Sequence, residues 1–159
     1  MRVRSFQKED IAPLVEILRA TSVFRPDEIE VAVELMNIVV NESQQQDYIM
    51  YTAVDDSQVV RGYYCVGPTP MTMGTFDLYW IAVDPAVQRR GVGKELLRHC
   101  EALVRSNQGR LIVVETSSQP KYDPTRNFYL RNGYREEARI HGYYAPDDDL
   151  MIYTKHLYL

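Results

Sequence analysis

Few residues in this chain can ligate a metal or close a disulfide. There are two cysteines, Cys65 and Cys100, and three histidines, His99, His141 and His156. They form no Cys-x-x-Cys pair and no zinc-type histidine spacing, so no metal is expected and both cysteines read as buried free thiols. Positive charge is not in excess. The 18 Lys and Arg stand against 22 Asp and Glu, a formal net charge of −4, which argues against nucleic acid bound on a basic face. No apolar run approaches bilayer-spanning length. The opening MRVRSFQKEDI lacks the apolar core of a secretory leader. These absences lead us to expect a cytoplasmic protein with neither a nucleic-acid nor a membrane partner.

The 159 residues suffice to bury a core without staples and are expected to form a single domain over 1–159. MRVRSF alternates and reads as a strand. Ile11, Leu14, Val15 and Leu18 make a helical stripe over 10–20. Pro26, Asp27 and Glu28 open a second helix running to about Asn41. YIMYTAVDD and VVRGYYCVG read as a hairpin turning at Asp55–Gln58. FDLYWIAV is a long apolar run, read as a buried central strand. Val92, Leu96, Leu97, Cys100, Leu103 and Val104 share one face of a helix ending near Ser106. RLIVVETS is another strand. DPTRNFYLRNG is a short helix opened by Asp-Pro and closed by Gly133. YREEARI and DLMIYTKHLYL pair at the end of the chain. The order β-α-α-β-β-β-α-β-α-β-β implies an α/β (α+β) fold: a mixed sheet with helices on both faces and a parallel crossover at 76–116.

The junction VDPAVQRRGVGKELL sets two glycines, two arginines and a lysine between a strand and a helix. A helix N-terminus presents unpaired N–H groups and a positive dipole end, and glycine lets that backbone approach an anion. Three readings compete. A P-loop needs a glycine five residues before Gly93-Lys94 and a hydroxyl after the lysine, but those positions are Gln88 and Glu95. A dinucleotide fingerprint needs a third glycine where Leu96 stands. The plain alternative is a tight turn with solvated arginines.

Gln88-x-x-Gly91-x-Gly93, following AVDP and opening a helix, resembles motif A of the GNAT superfamily of N-acetyltransferases. FYLRNGY, residues 128–134, resembles the motif that follows the next strand. Departures are Tyr134, where many members carry Phe, and Thr125, where a small residue is common. The resemblance implies a GNAT-like, mostly antiparallel sheet and acetyl-CoA as co-substrate. It also implies an amine acceptor, either a small molecule or a peptide or protein amine, and a possible homodimer. Gln88, Arg89, Arg90, Gly91, Val92, Gly93 and Lys94 would cradle the pyrophosphate. Ile81, Ala82 and Val83 would pair with pantetheine in a gap where the fourth strand bends from the fifth. Val83 N–H would face the developing oxyanion, and Asn127 would face the cofactor.

Transfer from a thioester to an amine needs a neutral amine, an oxyanion donor and a proton for the leaving thiolate. By its motif position Tyr129 is the candidate acid. Asp77, acting through water, is the candidate base, with Glu115 second; either carboxylate could instead be a plain strand-end residue. Phe24, Arg25, Tyr143 and Tyr144 are expected around the acceptor. Asp147, Asp148 and Asp149 could attract a cation, but such a run is more often a solvated turn. With no cysteine in either motif, direct attack is expected rather than an acyl-enzyme. The alternative is a coenzyme A sensor on the same fold without turnover.

Overall fold

The computed structural model describes residues 1–158. Its elements are β1 (Arg2–Ser5), α1 (Ile11–Ala20), α2 (Pro26–Asn41), β2 (Ile49–Val54), β3 (Val60–Pro68), β4 (Thr75–Val83), α3 (Val92–Ser106), β5 (Leu111–Ser117), α4 (Asp123–Arg131), β6 (Arg135–Ala145) and β7 (Asp148–His156). The strands make one sheet in the order β1-β2-β3-β4-β5-β7-β6. Every neighbouring pair is antiparallel except β4–β5. None of the described helices is long and apolar enough to cross a membrane.

The two sheet faces carry separate cores. Leu14 and Leu18 of α1 and Ala32 and Met36 of α2 pack on Met50, Tyr63, Cys65 and Ala82. On the opposite face, Leu96, Cys100 and Val104 of α3 and Tyr129 of α4 pack on Tyr64, Val66, Leu78, Ile112 and Val114. Neighbours on β3 therefore alternate between two dry faces, and a strand buried on both sides reads as an unbroken apolar run. Pro26 sits in the first turn of α2, where Arg25 N–H donates to Glu28 Oε1 at 3.0 Å. Gly133, at φ +87°, closes α4, and Tyr134 N–H turns back onto Tyr129 O at 3.0 Å. Only glycine takes that conformation at little cost.

Buried polar links hold the frame. Asp10 accepts two hydrogen bonds from Arg4, at 2.8 and 2.9 Å, and one from the Thr52 hydroxyl at 2.9 Å. This ties the start of α1 to β1 and β2. Glu101 of α3 accepts from Lys155 of β7 at 2.8 Å and from the Tyr134 hydroxyl at 3.3 Å. Arg61 joins Asp55 of the β2–β3 turn to Asp84 beyond β4, each at 2.9 Å, and so fixes where β4 ends.

Three expectations need correction. β4 is not buried throughout: Tyr79 is exposed, and Trp80 and Ile81 are only half-buried, because part of the strand lines a cavity rather than a core. The second strand of the closing pair begins at Asp148, and its partner β6 runs on to Ala145, taking in Tyr143 and Tyr144. Asp148 and Asp149 are not a solvated turn. Asp148 is buried and accepts from the Ser117 hydroxyl, while Asp149 accepts from Gly142 N–H, Arg139 and His141. Leu159, the last residue of the expected final strand, lies outside the described residues.

Candidate active site

β4 and β5 pair only over Thr75↔Leu111, Phe76↔Ile112 and Asp77↔Val113. Beyond those residues they separate. The cause lies on β4: Cys65 faces Trp80 and Val66 faces Leu78, so Tyr79 is an extra residue with no partner on β3. Such a bulge bends its strand and ends regular pairing. Asp84 N–H donates to Arg61 O on β3 at 2.7 Å. Peptide groups alternate sides along a strand, so the N–H groups of Val83 and Ile81 point away from β3, into the gap. There they have no strand to pair with, and a row of free donors and acceptors is a template for an extended ligand.

α3 begins beside this gap. Its first intrahelical bond here runs from Glu95 N–H to Gly91 O at 3.0 Å, which leaves Val92, Gly93 and Lys94 N–H without acceptors in the helix. Arg89 and Gly91 both adopt positive φ, +67° and +84°, and such alternation curls peptide N–H groups into an anion-binding hollow. The two glycines do different work. A Cβ at Gly91 would meet nothing within 4 Å and would project into open space, whereas one at Gly93 would press on Phe128 of α4 at 3.2 Å. A cleft of about 1190 Å³ runs along this surface. Ile81, Ala82, Val83, Gln88, Arg89, Gly91, Val92, Gly93, Lys94 and Asn127 all line it, and Arg90 does not. Ala82 turns its side chain into the core beneath α1 and α2, so its contribution comes through the backbone. Arg131 also lines the cleft; on the sequence it is one more basic residue near a helix end, with no distinguishing signal.

A second cavity, about 570 Å³, lies on the α2 side and meets the first at Phe24, Ile81, Lys121 and Thr125. Asp77, Glu115 and Tyr129 all line it, as do Phe24, Arg25 and Tyr144. Tyr143 is exposed on β6 and is not among its lining residues. Asp77 accepts from the Thr69 hydroxyl at 2.7 Å. Tyr129 is buried, its ring packed among Phe128, Tyr134 and Tyr153. Burial pushes its phenol above the usual tyrosine range, and Cys100 adds to this. Burial and then Asp77 push Tyr79 up to about 12. Glu28, Tyr122 and Asp148 complete the far wall. Their isolated positions in sequence carry no periodicity or motif, so only the fold brings them together.

The Acetyltransferase (GNAT) domain model matches residues 46–136. A protein of known structure from Desulfovibrio desulfuricans, assigned to the acetyltransferases of the GNAT family, is 38% identical, with 98% of each chain covered and a TM-score of 0.91. The ribosomal-protein-S18-alanine N-acetyltransferase from Escherichia coli is 17% identical, covering 99% of this chain and 94% of its own, with a TM-score of 0.78. An aminoglycoside 6'-N-acetyltransferase complexed with coenzyme A is 18% identical, covering 100% of this chain and 98% of its own, also at 0.78. The last two likenesses establish the fold. No match was found among curated proteins. The family model spans more than half of the chain, the splayed strands and the glycine-opened helix lie within that span, and a structure of the same family matches nearly end to end: the chain belongs to the GNAT family of acetyltransferases.

Proposed function

We propose that this chain transfers the acetyl group of acetyl-CoA to a primary amine by direct attack in a ternary complex. One observation carries the reading. Two cavities, one floored by free helix N–H groups and one lined by carboxylates and phenols, meet at Ile81, where β4 has parted from β5. The open space at Gly91 and the unpaired N–H groups of Val92, Gly93 and Lys94 suit a pyrophosphate. The unpaired edge of β4 suits the amide-bearing arm of coenzyme A. When bound, acetyl-CoA supplies the thioester that is the acyl donor.

The chain's own groups then have defined tasks. Val83 N–H faces the position where the carbonyl oxygen becomes an oxyanion. The acceptor arrives protonated, because an alkylamine titrates near 10.4. Asp77, held by Thr69, takes that proton through a water, and Glu115 on the same face is the second candidate. The new N–C bond forms as the C–S bond breaks, and the nitrogen releases its second proton to solvent, from which Tyr129 regains the one it gives to sulfur. Tyr129, buried on α4 and lining the second cavity, donates its hydroxyl proton to the departing sulfur. A tyrosine is protonated at neutral pH, and burial, which raises its pKa, makes it a weaker acid toward the thiolate. Desolvation in the same gap also raises the basicity of the thiolate, which narrows the difference the proton must cross.

Calorimetry should show saturable acetyl-CoA binding, and a thiol-release assay across an amine panel should show release that depends on the amine. Absence of binding defeats the reading. Binding without release from any amine would instead mark a coenzyme A sensor.

A further inference from the structure

Beyond Asp77, β4 leaves β5 but not β3. Past the bulge at Tyr79 its pairing with β3 resumes at Cys65↔Trp80 and runs to Gly62↔Val83. Whatever holds those last residues on β3 therefore also sets where the free N–H groups of Ile81 and Val83 point. Gly62 lets the two strands lie close there: a Cβ at that position would stand 2.5 Å from Ala82 O and 3.3 Å from Val83 Cα. The next residue, Asp84, is held three ways. Its N–H donates to Arg61 O at 2.7 Å, its Oδ2 accepts from Arg61 Nη1 at 2.9 Å, and its Oδ1 accepts from Ala86 N–H at 3.0 Å.

Arg61 is itself anchored from the other side. Its Nε donates to Asp55 Oδ2 at 2.9 Å, and Asp55 Oδ1 accepts from Ser57 N–H at 2.9 Å and from Val59 N–H at 3.0 Å. A chain of charge-assisted bonds thus runs from the β2–β3 turn to the first residue beyond β4. The planar fork of a guanidinium can bridge two carboxylates in fixed directions, which a lysine cannot do. The side chains of Arg61, Asp55 and Asp84 are 25%, 25% and 20% exposed, and ion pairs in contact with solvent add little stability. Among the described residues, those that line the two cavities include none of the three. Their influence on the chemistry passes through the backbone of β4.

We infer that Arg61, acting through Asp84, is a positioning residue for acetyl transfer: it holds the end of β4 on β3 so that Val83 N–H stays aimed into the gap, at the place of the thioester oxygen. The inference rests on the acetyl-transfer reading above and adds to it a residue that touches neither substrate. An oxyanion donor is effective only if it is fixed before charge develops, and a displacement of about 1 Å can cost about a hundredfold in rate. The anion-binding hollow is less sensitive to the same loss. Arg61 does not line that cleft, and the Asp84–Ala86 bond that leads toward it needs an oxygen but no charge.

The test uses Arg61→Gln and Asp84→Asn in the full chain. Asparagine keeps an oxygen for Ala86 N–H but loses the charge that faces Arg61. Acetyl-CoA isotopically labelled at its carbonyl carbon is bound and read by isotope-edited infrared spectroscopy. In the parent the carbonyl stretch should lie below that of free acetyl-CoA, because an accepted hydrogen bond weakens the C=O bond. Each variant should move it back toward the free value. With an amine that the parent acetylates, kcat should fall by about tenfold or more, while the acetyl-CoA Kd from calorimetry stays within about twofold. The double variant should be no slower than the slower single one, since both break the same link. Two variants on different strands also guard against a folding defect in either alone. An unmoved stretch with kcat within about twofold of the parent overturns the inference, and so does a loss confined to acetyl-CoA affinity. A parent whose bound carbonyl absorbs where the free one does overturns it too, and leaves acetyl transfer to stand on amine-dependent thiol release. A parent that fails to bind acetyl-CoA overturns both readings.

Discussion

At the scale of single residues, Tyr129 and Asp10 are both buried polar groups, yet they predict opposite kinds of effect. Tyr129 packs by its ring and lines the cavity, and its hydroxyl has no hydrogen-bond partner among the described residues. Tyr129→Phe removes only that oxygen, so the fold and the phosphate cradle should persist. If the hydroxyl serves the leaving thiolate, kcat should fall by about a hundredfold with the acetyl-CoA dissociation constant within twofold; an unchanged kcat would remove the role. Asp10 is instead structural. Burial acts to raise its pKa, but the hydrogen bonds from Arg4, Gln7 N–H and Thr52 outweigh it and hold the carboxyl below its ordinary value. Asp10→Asn leaves Arg4 without its counter-charge, and should cost about 3 kcal/mol in chemical denaturation. The sign of the pH dependence follows. A depressed carboxyl stabilises fully above its unfolded pKa, near 3.9, and that stabilisation is lost as pH falls through the lower folded value. The difference between the parent and the variant should therefore hold from pH 7 to about 5 and shrink below about pH 4.

At the scale of elements, the sequence made the helices legible through their ends. Pro26 with two acids, Asp123-Pro124 and Gly133 are local signals, because caps and dipoles act within one turn. The expected spans of α2 and α4 agree with the structure for that reason. The bulge at Tyr79 was not legible. Tyr79 and Trp80 are consecutive apolar residues in an apolar run, and nothing local says that one of them lacks a partner on β3. The acidic run was also misleading, since the partners of Asp148 and Asp149 are Ser117 from one strand and Arg139, His141 and Gly142 from another. Gly91 and Gly93 look equivalent in sequence and separate only in three dimensions. Gly91→Ala should cost roughly 1–2 kcal/mol of stability for its left-handed backbone, since its Cβ meets no atom. Its methyl group would stand in the anion's path, so acetyl-CoA affinity should fall by about tenfold or more, a loss of about 1.4 kcal/mol. Calorimetry and thermal unfolding on the same sample separate the two effects. Loss of stability with full affinity would mean that the phosphate does not approach Gly91.

At the scale of the whole molecule, the two cores lie on opposite faces of one sheet, and the sheet is weakest at its centre, where β4 and β5 share only three residue pairs. Sequence patterning shows which residues face a core, but it cannot show where two paired strands part, because that depends on partners far along the chain. The first cleft touches both halves. Thr21, Val23 and Phe24 reach it from the α1–α2 connection, and α3 and α4 form its other wall. A ligand there bridges elements that the sheet joins only loosely, and it binds the folded chain alone. At a hundredfold excess over its dissociation constant it adds about 2.7 kcal/mol, which for a chain of this length raises Tm by roughly 5–10 °C. The gain should appear locally as slowed amide exchange at Ile81, Val83 and the first turn of α3, whose N–H groups face the cleft without intrachain partners. An amine without coenzyme A should give no protection at Val83 or in the first turn of α3, because the second cavity lies along the α2 wall and includes neither. If acetyl-CoA instead raised Tm while exchange slowed only in α1 and β1, the ligand would be bound away from the splayed strands. The division of the two cavities into donor and acceptor sites would then be wrong.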